Sequence, residues 1–237
     1  MYFLVNEEKK IIFGYSPKCG CTKIKMYFNF YSGKNNYDNI NPDMTYNFKI
    51  PHTYDTYGGL PNNHNEYTIV LFIRNPYKRL LSGFIDRYCI SRCRLNIREF
   101  NFQNFVNELD ANGVNRINSQ HFSPQLSQKY EDNIKFTKIF DIENIDYEYL
   151  DQLFGKKLDD GLIKLRTSHQ LKYSETYDDT NKKAYHLNKF EIRRMHEKPK
   201  LKYFLNDDII SKINKYYKKD FDFFKENGFD YYIVNQQ

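Results

Sequence analysis

The sequence predicts an α/β fold, a mostly parallel sheet flanked by helices, in a single domain spanning residues 1–237. Three observations carry this expectation. Short apolar runs alternate along the chain with stretches of helical spacing, the pattern of successive βα units. The run at 67–73, Tyr-Thr-Ile-Val-Leu-Phe-Ile, is apolar and β-branched almost throughout, as a strand covered on both faces is. A tight loop containing Pro17, Gly20 and Thr22 stands between an apolar run and a helical stretch. In sheets of this class the ligand gathers beyond the carboxyl ends of the strands.

Taken in order, residues 1–5 read as a first strand, turned at 6–9 into a second at 10–13. Residues 24–31 carry apolar side chains at near-helical spacing and form the first helix. Residues 32–66 lack periodicity and are rich in Asn, Gly, Pro and Tyr, so they read as a long loop of functional interest. The strand at 67–73 leads into a helix whose first turn suits Pro76. Residues 91–130 read as an insertion, with Phe100, Phe102, Phe105 and Leu109 marking a short helix that starts near Asn104. Residues 136–142 form a third core strand, and 147–154 a helix ended by Gly155. Leu162 to Leu165 is expected as a short strand, leading to the polar loop Arg166-Thr167-Ser168-His169. Residues 175–206 show no clear pattern. Asp207 and Asp208 are placed to cap one last helix, 209–226, which Gly228 ends.

The stretch 13–25, Phe-Gly-Tyr-Ser-Pro-Lys-Cys-Gly-Cys-Thr-Lys-Ile-Lys, has the makings of an anion site. Strand, tight loop and helix N-terminus aim backbone N–H groups at a negative charge. Lys18 adds a point charge, and the Thr22 hydroxyl adds a donor. The Walker pattern G-x-x-x-x-G-K-[ST] does not fit: Gly14 and Gly20 are one residue too far apart, and Cys21 stands where the lysine belongs. A second stretch, Arg74-Asn75-Pro76-Tyr77-Lys78-Arg79-Leu80-Leu81-Ser82, puts an arginine at the end of the buried strand and Ser82 about two turns into the following helix. The planar fork of an arginine binds two phosphate oxygens at once.

These two stretches resemble the signatures of sulfotransferases that use PAPS (3′-phosphoadenosine 5′-phosphosulfate). P-K-x-G-x-T resembles the 5′-phosphosulfate loop. R-N-P-x-x-R-x-x-S resembles the 3′-phosphate element, with Asn75 in place of the usual Asp. The segment His121-Phe122-Ser123-Pro124-Gln125 is similar to the H-x-x-P-Q segment of membrane-associated carbohydrate sulfotransferases, and residues 138–154 and 210–224 are similar to their later elements. The resemblance implies a P-loop-like sulfotransferase fold, with Lys18, Cys19, Gly20, Cys21, Thr22 and Lys23 at the 5′ side of PAPS and Arg74 and Ser82 at its 3′-phosphate. A late loop closes the 3′ side in the family, which makes Arg166 and Ser168 candidates and Lys172 a weaker one. The catalytic candidates are Lys18, on the leaving oxygen, and a histidine base. His52, 22 residues before Arg74, resembles in placement the catalytic histidine of uronyl 2-O-sulfotransferases; His121 is the second choice. His64 reads as a solvated loop residue.

Composition narrows the remaining classes. Lys and Arg number 36 against 30 Asp and Glu, a net charge of +6. That mild excess is consistent with surface solubility, a cradle for an anionic co-substrate or a nucleic-acid face, but no basic run dominates, so nucleic acid is not the expected partner. No stretch of about 18 apolar residues is present, so no membrane span is expected, and the first residues lack the apolar core of a signal peptide. The expectation is a cytoplasmic or otherwise soluble relative of the anchored Golgi enzymes, or a Golgi-lumen protein if the chain is a trimmed piece. The four cysteines do not form a disulfide framework; Cys89 and Cys93, four apart on the expected helix, have no second pair at zinc spacing. No metal is expected. The leading function is sulfuryl transfer from PAPS to an acceptor hydroxyl, with a carbohydrate favoured. A nucleotide-dependent kinase on a degenerate P-loop and a non-catalytic nucleotide- or glycan-binding module remain open as alternatives.

Overall fold

The computed structural model describes residues 1–33, 55–57, 60–90, 100–113, 121–126, 134–158, 160–164 and 172–233. The chain divides into two compact units, each built from two separated segments. Unit 1 comprises Met1–Arg74 and Gln125–Gln170; unit 2 comprises Asn75–Pro124 and Leu171–Gln237.

Unit 1 holds a five-stranded sheet. Its strands are β1 (Tyr2–Asn6), β2 (Ile11–Tyr15), β3 (Asp55–Tyr57), β4 (Thr68–Ile73) and β5 (Lys138–Asp141), in the order β3-β1-β2-β4-β5. β1 pairs antiparallel with both β2 and β3, while β2–β4 and β4–β5 are parallel. Four of the five strands therefore point the same way and only β1 is reversed, which is the mostly parallel sheet expected. The β1–β2 turn is tied by the Lys9 N–H donating to Asn6 Oδ1 at 2.9 Å.

β4 is buried from Ile69 to Ile73, on residues of both parities, as the apolar run predicts. On one face Leu4, Phe13, Tyr15, Val70, Phe72 and Phe140 join Ile24, Tyr27, Phe28 and Tyr31 of α1 (Cys21–Tyr31). Leu150 and Phe154 of a second helix in this unit complete that core. Phe13 meets Phe28, Phe72 and Phe154 edge-on, with centroids 5.1, 4.9 and 5.6 Å away, the offset geometry aromatic rings prefer.

Unit 2 opens with α2 (Pro76–Phe84), which runs into a π-helical turn at Ile85–Ile90. α3 (Phe102–Asn112) follows, capped by Asn101 rather than starting at Asn104. Unit 1 then supplies α4 (Tyr147–Phe154), ended at Gly155 as expected, and α5 (Asp160–Lys164). Unit 2 resumes with β6 (Tyr173–Ser174), α6 (Lys189–Arg194), β7 (Lys198–Pro199), α7 (Asp207–Tyr216) and α8 (Lys218–Glu226). β6 and β7 pair parallel. Its core gathers Leu80, Phe84, Phe102, Phe105, Phe122, Ile192, Phe204, Ile213 and Phe221.

Four expectations change. Residues 162–164 are helical, in α5, and not a strand: so short an apolar run has no periodicity to decide its type. The last helix is two, broken at Tyr217 (φ −100°, ψ 21°), whose ring is buried. Its cap is Asn206, whose side chain accepts from the Ile209 N–H at 2.8 Å, with Asp207 and Asp208 inside the first turn. The stretch 32–66 contains a strand, β3, and a 3₁₀ turn at His64–Glu66 in which His64 is half-buried. Cys89 is buried in the π-helical turn, and Cys93 lies outside the described residues. Among the described residues no helix is long and apolar enough to cross a membrane.

Candidate functional site

β2 delivers the chain into a loop at 16–20 that unwinds and rewinds within five residues. Lys18 and Gly20 both have φ of +68°, and Cys19 between them does not. Such alternation turns successive N–H groups to one side and makes a concave seat for an anion. Gly20 adopts this conformation freely, whereas Lys18 holds it at a cost on the order of 1 kcal/mol. Two bonds fix the turn: the Cys19 N–H donates to the Ser16 carbonyl at 3.1 Å, and Arg74 Nη1 donates to the Lys18 carbonyl at 3.0 Å.

Gly20 is the N-cap of α1 and offers no capping side chain. The first bond of the helix is Ile24 N–H to the Gly20 carbonyl, at 3.1 Å. Among the described residues, nothing accepts from the N–H groups of Gly20, Cys21, Thr22 and Lys23. They are the exposed positive end of the helix. Thr22 is half-buried in that first turn. The Lys23 ammonium is turned away to the Ile163 carbonyl in α5, 3.3 Å off, so only its main chain belongs to this end. The Cys21 thiol folds back on the loop and donates to the Ser16 carbonyl at 3.4 Å. Burial pushes that thiol above its usual range, against the Lys18 N–H and the charges of Lys18 and Lys25.

Arg74 follows the last residue of β4. Its Nη1 is the donor to Lys18 already described, and its Nε is buried with no hydrogen-bond partner among the described residues. A guanidinium N–H held out of water in this way favours an acceptor brought by a ligand. The main chain of Arg74 is gripped by Gln125, which is 2% exposed. Gln125 Oε1 accepts from the Arg74 N–H at 2.9 Å and from the Cys19 thiol at 2.9 Å, Nε2 donates to the Arg74 carbonyl at 2.7 Å, and the Gln125 carbonyl accepts from the Ser16 hydroxyl at 2.8 Å. Ser16, Lys18, Cys19, Cys21, Arg74 and Gln125 thus stand in one hydrogen-bonded assembly, and Gly20 and Thr22 belong to the helix start that follows the loop. Sequence reasoning assigned Gln125 no role, although its H-x-x-P-Q segment was the signal that marked it.

In unit 2, Asn75 caps α2, with Oδ1 accepting from the N–H groups of Tyr77 and Lys78 at 3.0 and 3.2 Å. Asn performs this as well as Asp does, which explains the departure from the expected pattern. Ser82 is half-buried in α2, and its carbonyl accepts from the Ile85 N–H. Arg79, 1% exposed, donates from Nη1 to the Ser123 carbonyl at 2.8 Å, and the Tyr217 hydroxyl donates to the Phe122 carbonyl at 2.7 Å. These bonds hold the segment that begins at His121, itself half-buried. Lys172 is exposed, and its carbonyl accepts from the Lys198 N–H at 2.8 Å. His52, Arg166 and Ser168 lie outside the described residues. Among the described residues no group of three or more His, Cys, Asp or Glu is gathered to hold a metal ion.

A strand–loop–helix turn with unmet N–H donors, and an arginine at the end of the neighbouring parallel strand, together suit an anionic ligand. Residues 1–227 match the model of the sulfotransferase family, so the chain belongs to that family. It is similar to carbohydrate sulfotransferase 11 of Danio rerio, 28% identical over 94 residues, which cover 38% of this chain and 27% of that protein. The similarity therefore spans little more than a quarter of that relative. No solved structure matches the chain.

Proposed function

We propose that this chain transfers the sulfuryl group of PAPS to an acceptor hydroxyl, with a carbohydrate as the favoured acceptor. The observation that carries the reading is the set of donors around the loop: four helix-end N–H groups and a buried guanidinium Nε that no described residue satisfies. That set suits a ligand with phosphate oxygens. In this reading the N–H groups of Gly20 to Lys23 and the Thr22 hydroxyl take the 5′-phosphate and Arg74 the 3′-phosphate; the family resemblance adds Ser82, Arg166 and Ser168 as candidates for the 3′ side. The choice of a carbohydrate is supported by the name of the zebrafish relative and by the H-x-x-P-Q resemblance. The match over residues 1–227, which runs through both units, supports treating 1–237 as one sulfotransferase domain.

In the transfer, the acceptor oxygen bonds to sulfur as the bond from sulfur to the 5′-phosphate oxygen breaks, and the acceptor proton passes to a base. Positioning and charge stabilisation dominate such reactions. Lys18 neutralises the charge that grows on the leaving oxygen. His52 is the first choice of base and His121 the second, because neutral imidazole accepts a proton near neutral pH.

The test has two parts. Transfer of labelled sulfate from PAPS is measured over a panel of glycans, tyrosine peptides and small alcohols, and glycans are expected to be labelled. Calorimetry compares adenosine 3′,5′-bisphosphate with ATP. Tighter binding of the bisphosphate, lost in Arg74→Ala, supports the reading. ATP binding as well or better, with an activity that magnesium restores after EDTA, would favour a kinase.

A further inference from the structure

We infer that Gln125 is a positioning residue: it sets the spacing between the anion seat at 16–23 and Arg74, so that one ligand can engage both. The inference rests on the nucleotide-binding reading above and deepens it. β4 pairs with β5 only as far as Ile73, opposite Asp141. Arg74 lies one residue beyond that pairing. There a single carboxamide takes over what a neighbouring strand would supply, bonding both the N–H and the C=O of Arg74. Its Oε1 also accepts from the Cys19 thiol, and its carbonyl holds the Ser16 hydroxyl. One buried residue thus touches the start of the loop, its middle and the main chain of the arginine. Bonds shielded from water in this way hold their geometry tightly.

The alternative is that Gln125 only adds stability. The two roles differ in how they treat different ligands. A ligand with phosphates at both ends joins two separate contacts, and its affinity depends on their spacing. A ligand with one phosphate uses the anion seat alone and is indifferent to that spacing.

The experiment measures binding of adenosine 3′,5′-bisphosphate and adenosine 5′-monophosphate to the full chain and to Gln125→Met, which keeps the length of the side chain and removes its amide. The expected result is a loss of about 10-fold or more for the bisphosphate and less than about 2-fold for the monophosphate. Equal losses for both ligands, or no loss for either, would overturn the inference. If Gln125→Met does not fold, Ser16→Ala, which removes only the bond to the Gln125 carbonyl, carries the test: a smaller loss confined to the bisphosphate is expected, and an equal loss or none overturns it. A native chain that does not prefer the bisphosphate to the monophosphate overturns the nucleotide reading itself, a result distinct from failure of the role given to Gln125.

Discussion

Lys18 combines a charge with an unfavourable backbone. Its left-handed φ aims the loop's N–H groups, and its carbonyl receives the Arg74 guanidinium. On the proposed chemistry its charge matters most in the transition state. Lys18→Ala should therefore lower turnover by more than it weakens bisphosphate binding, by on the order of 3 kcal/mol; a variant with normal turnover and only a raised KM would reduce Lys18 to a binding residue. The two histidines separate in the same way. His52→Ala should leave bisphosphate binding intact and cut turnover by roughly 10², and the acidic limb of the rate profile should vanish with it. Near-normal turnover in that variant, with turnover abolished in a folded His121→Ala, reverses the assignment. At this scale the charged members of the candidate site, Lys18 and Arg74, were legible as candidates because their types announce their chemistry, and the structure joins them through the Lys18 carbonyl. The sequence did not show Gln125, whose partners Arg74 and Cys19 stand 51 and 106 residues away along the chain.

α2 carries two local requirements. Asn75 closes its first turn through two N–H groups, so Asn75→Ala should cost about 1 kcal/mol of stability while Asn75→Asp stays near neutral in denaturant unfolding. At Gly83 an added Cβ would come within 2.8 Å of the buried Phe122 ring. In an open helix Gly→Ala stabilises by up to about 1 kcal/mol. Here Gly83→Ala should instead destabilise by roughly 1–3 kcal/mol, and a gain would show that Phe122 can move aside. Elements with a strong local signal were legible: the β1–β2 hairpin, β4, β5, α1 and α4 fall where periodicity and turn residues place them. Those set by distant packing were not. α7 and α8 read as one helix because no Pro or Gly stands at Tyr217, yet the chain breaks there and its hydroxyl reaches the Phe122 carbonyl.

Across the whole molecule the fold class followed from the alternation of strands and helices, while the division into two interleaved units left no compositional mark. Both cores are rich in aromatic rings, and this predicts a response to alkali. Burial raises the phenols of Tyr27 and Tyr31 in unit 1 and of Tyr217 in unit 2, and lifts Tyr216, Tyr232 and the Cys89 thiol to about 12. A group raised in the folded state contributes stability that is complete below its unfolded value, 10.0 for tyrosine and 9.0 for cysteine, and lost as pH climbs through the folded value. Lys198, lowered by burial, runs the other way and recovers stability as pH approaches 10.5, but it is outweighed by the raised groups, to which Tyr77, Tyr177 and Cys21 also belong. Denaturant midpoints should therefore fall between about pH 9 and about pH 12, and a flat or rising series would contradict this. The two-segment build of each unit has a last consequence, for chain entropy. The chain leaves unit 1 after Arg74 and re-enters at Gln125, and these two residues are bonded to each other. Within unit 2 the same excursion is pinned near its ends by Arg79 on Ser123. Both pairs tether one closed loop, whose closure costs on the order of 3 kcal/mol of lost freedom. The closure cost is met once and shared by the two tethers, so cutting both should cost less than the two single losses added together.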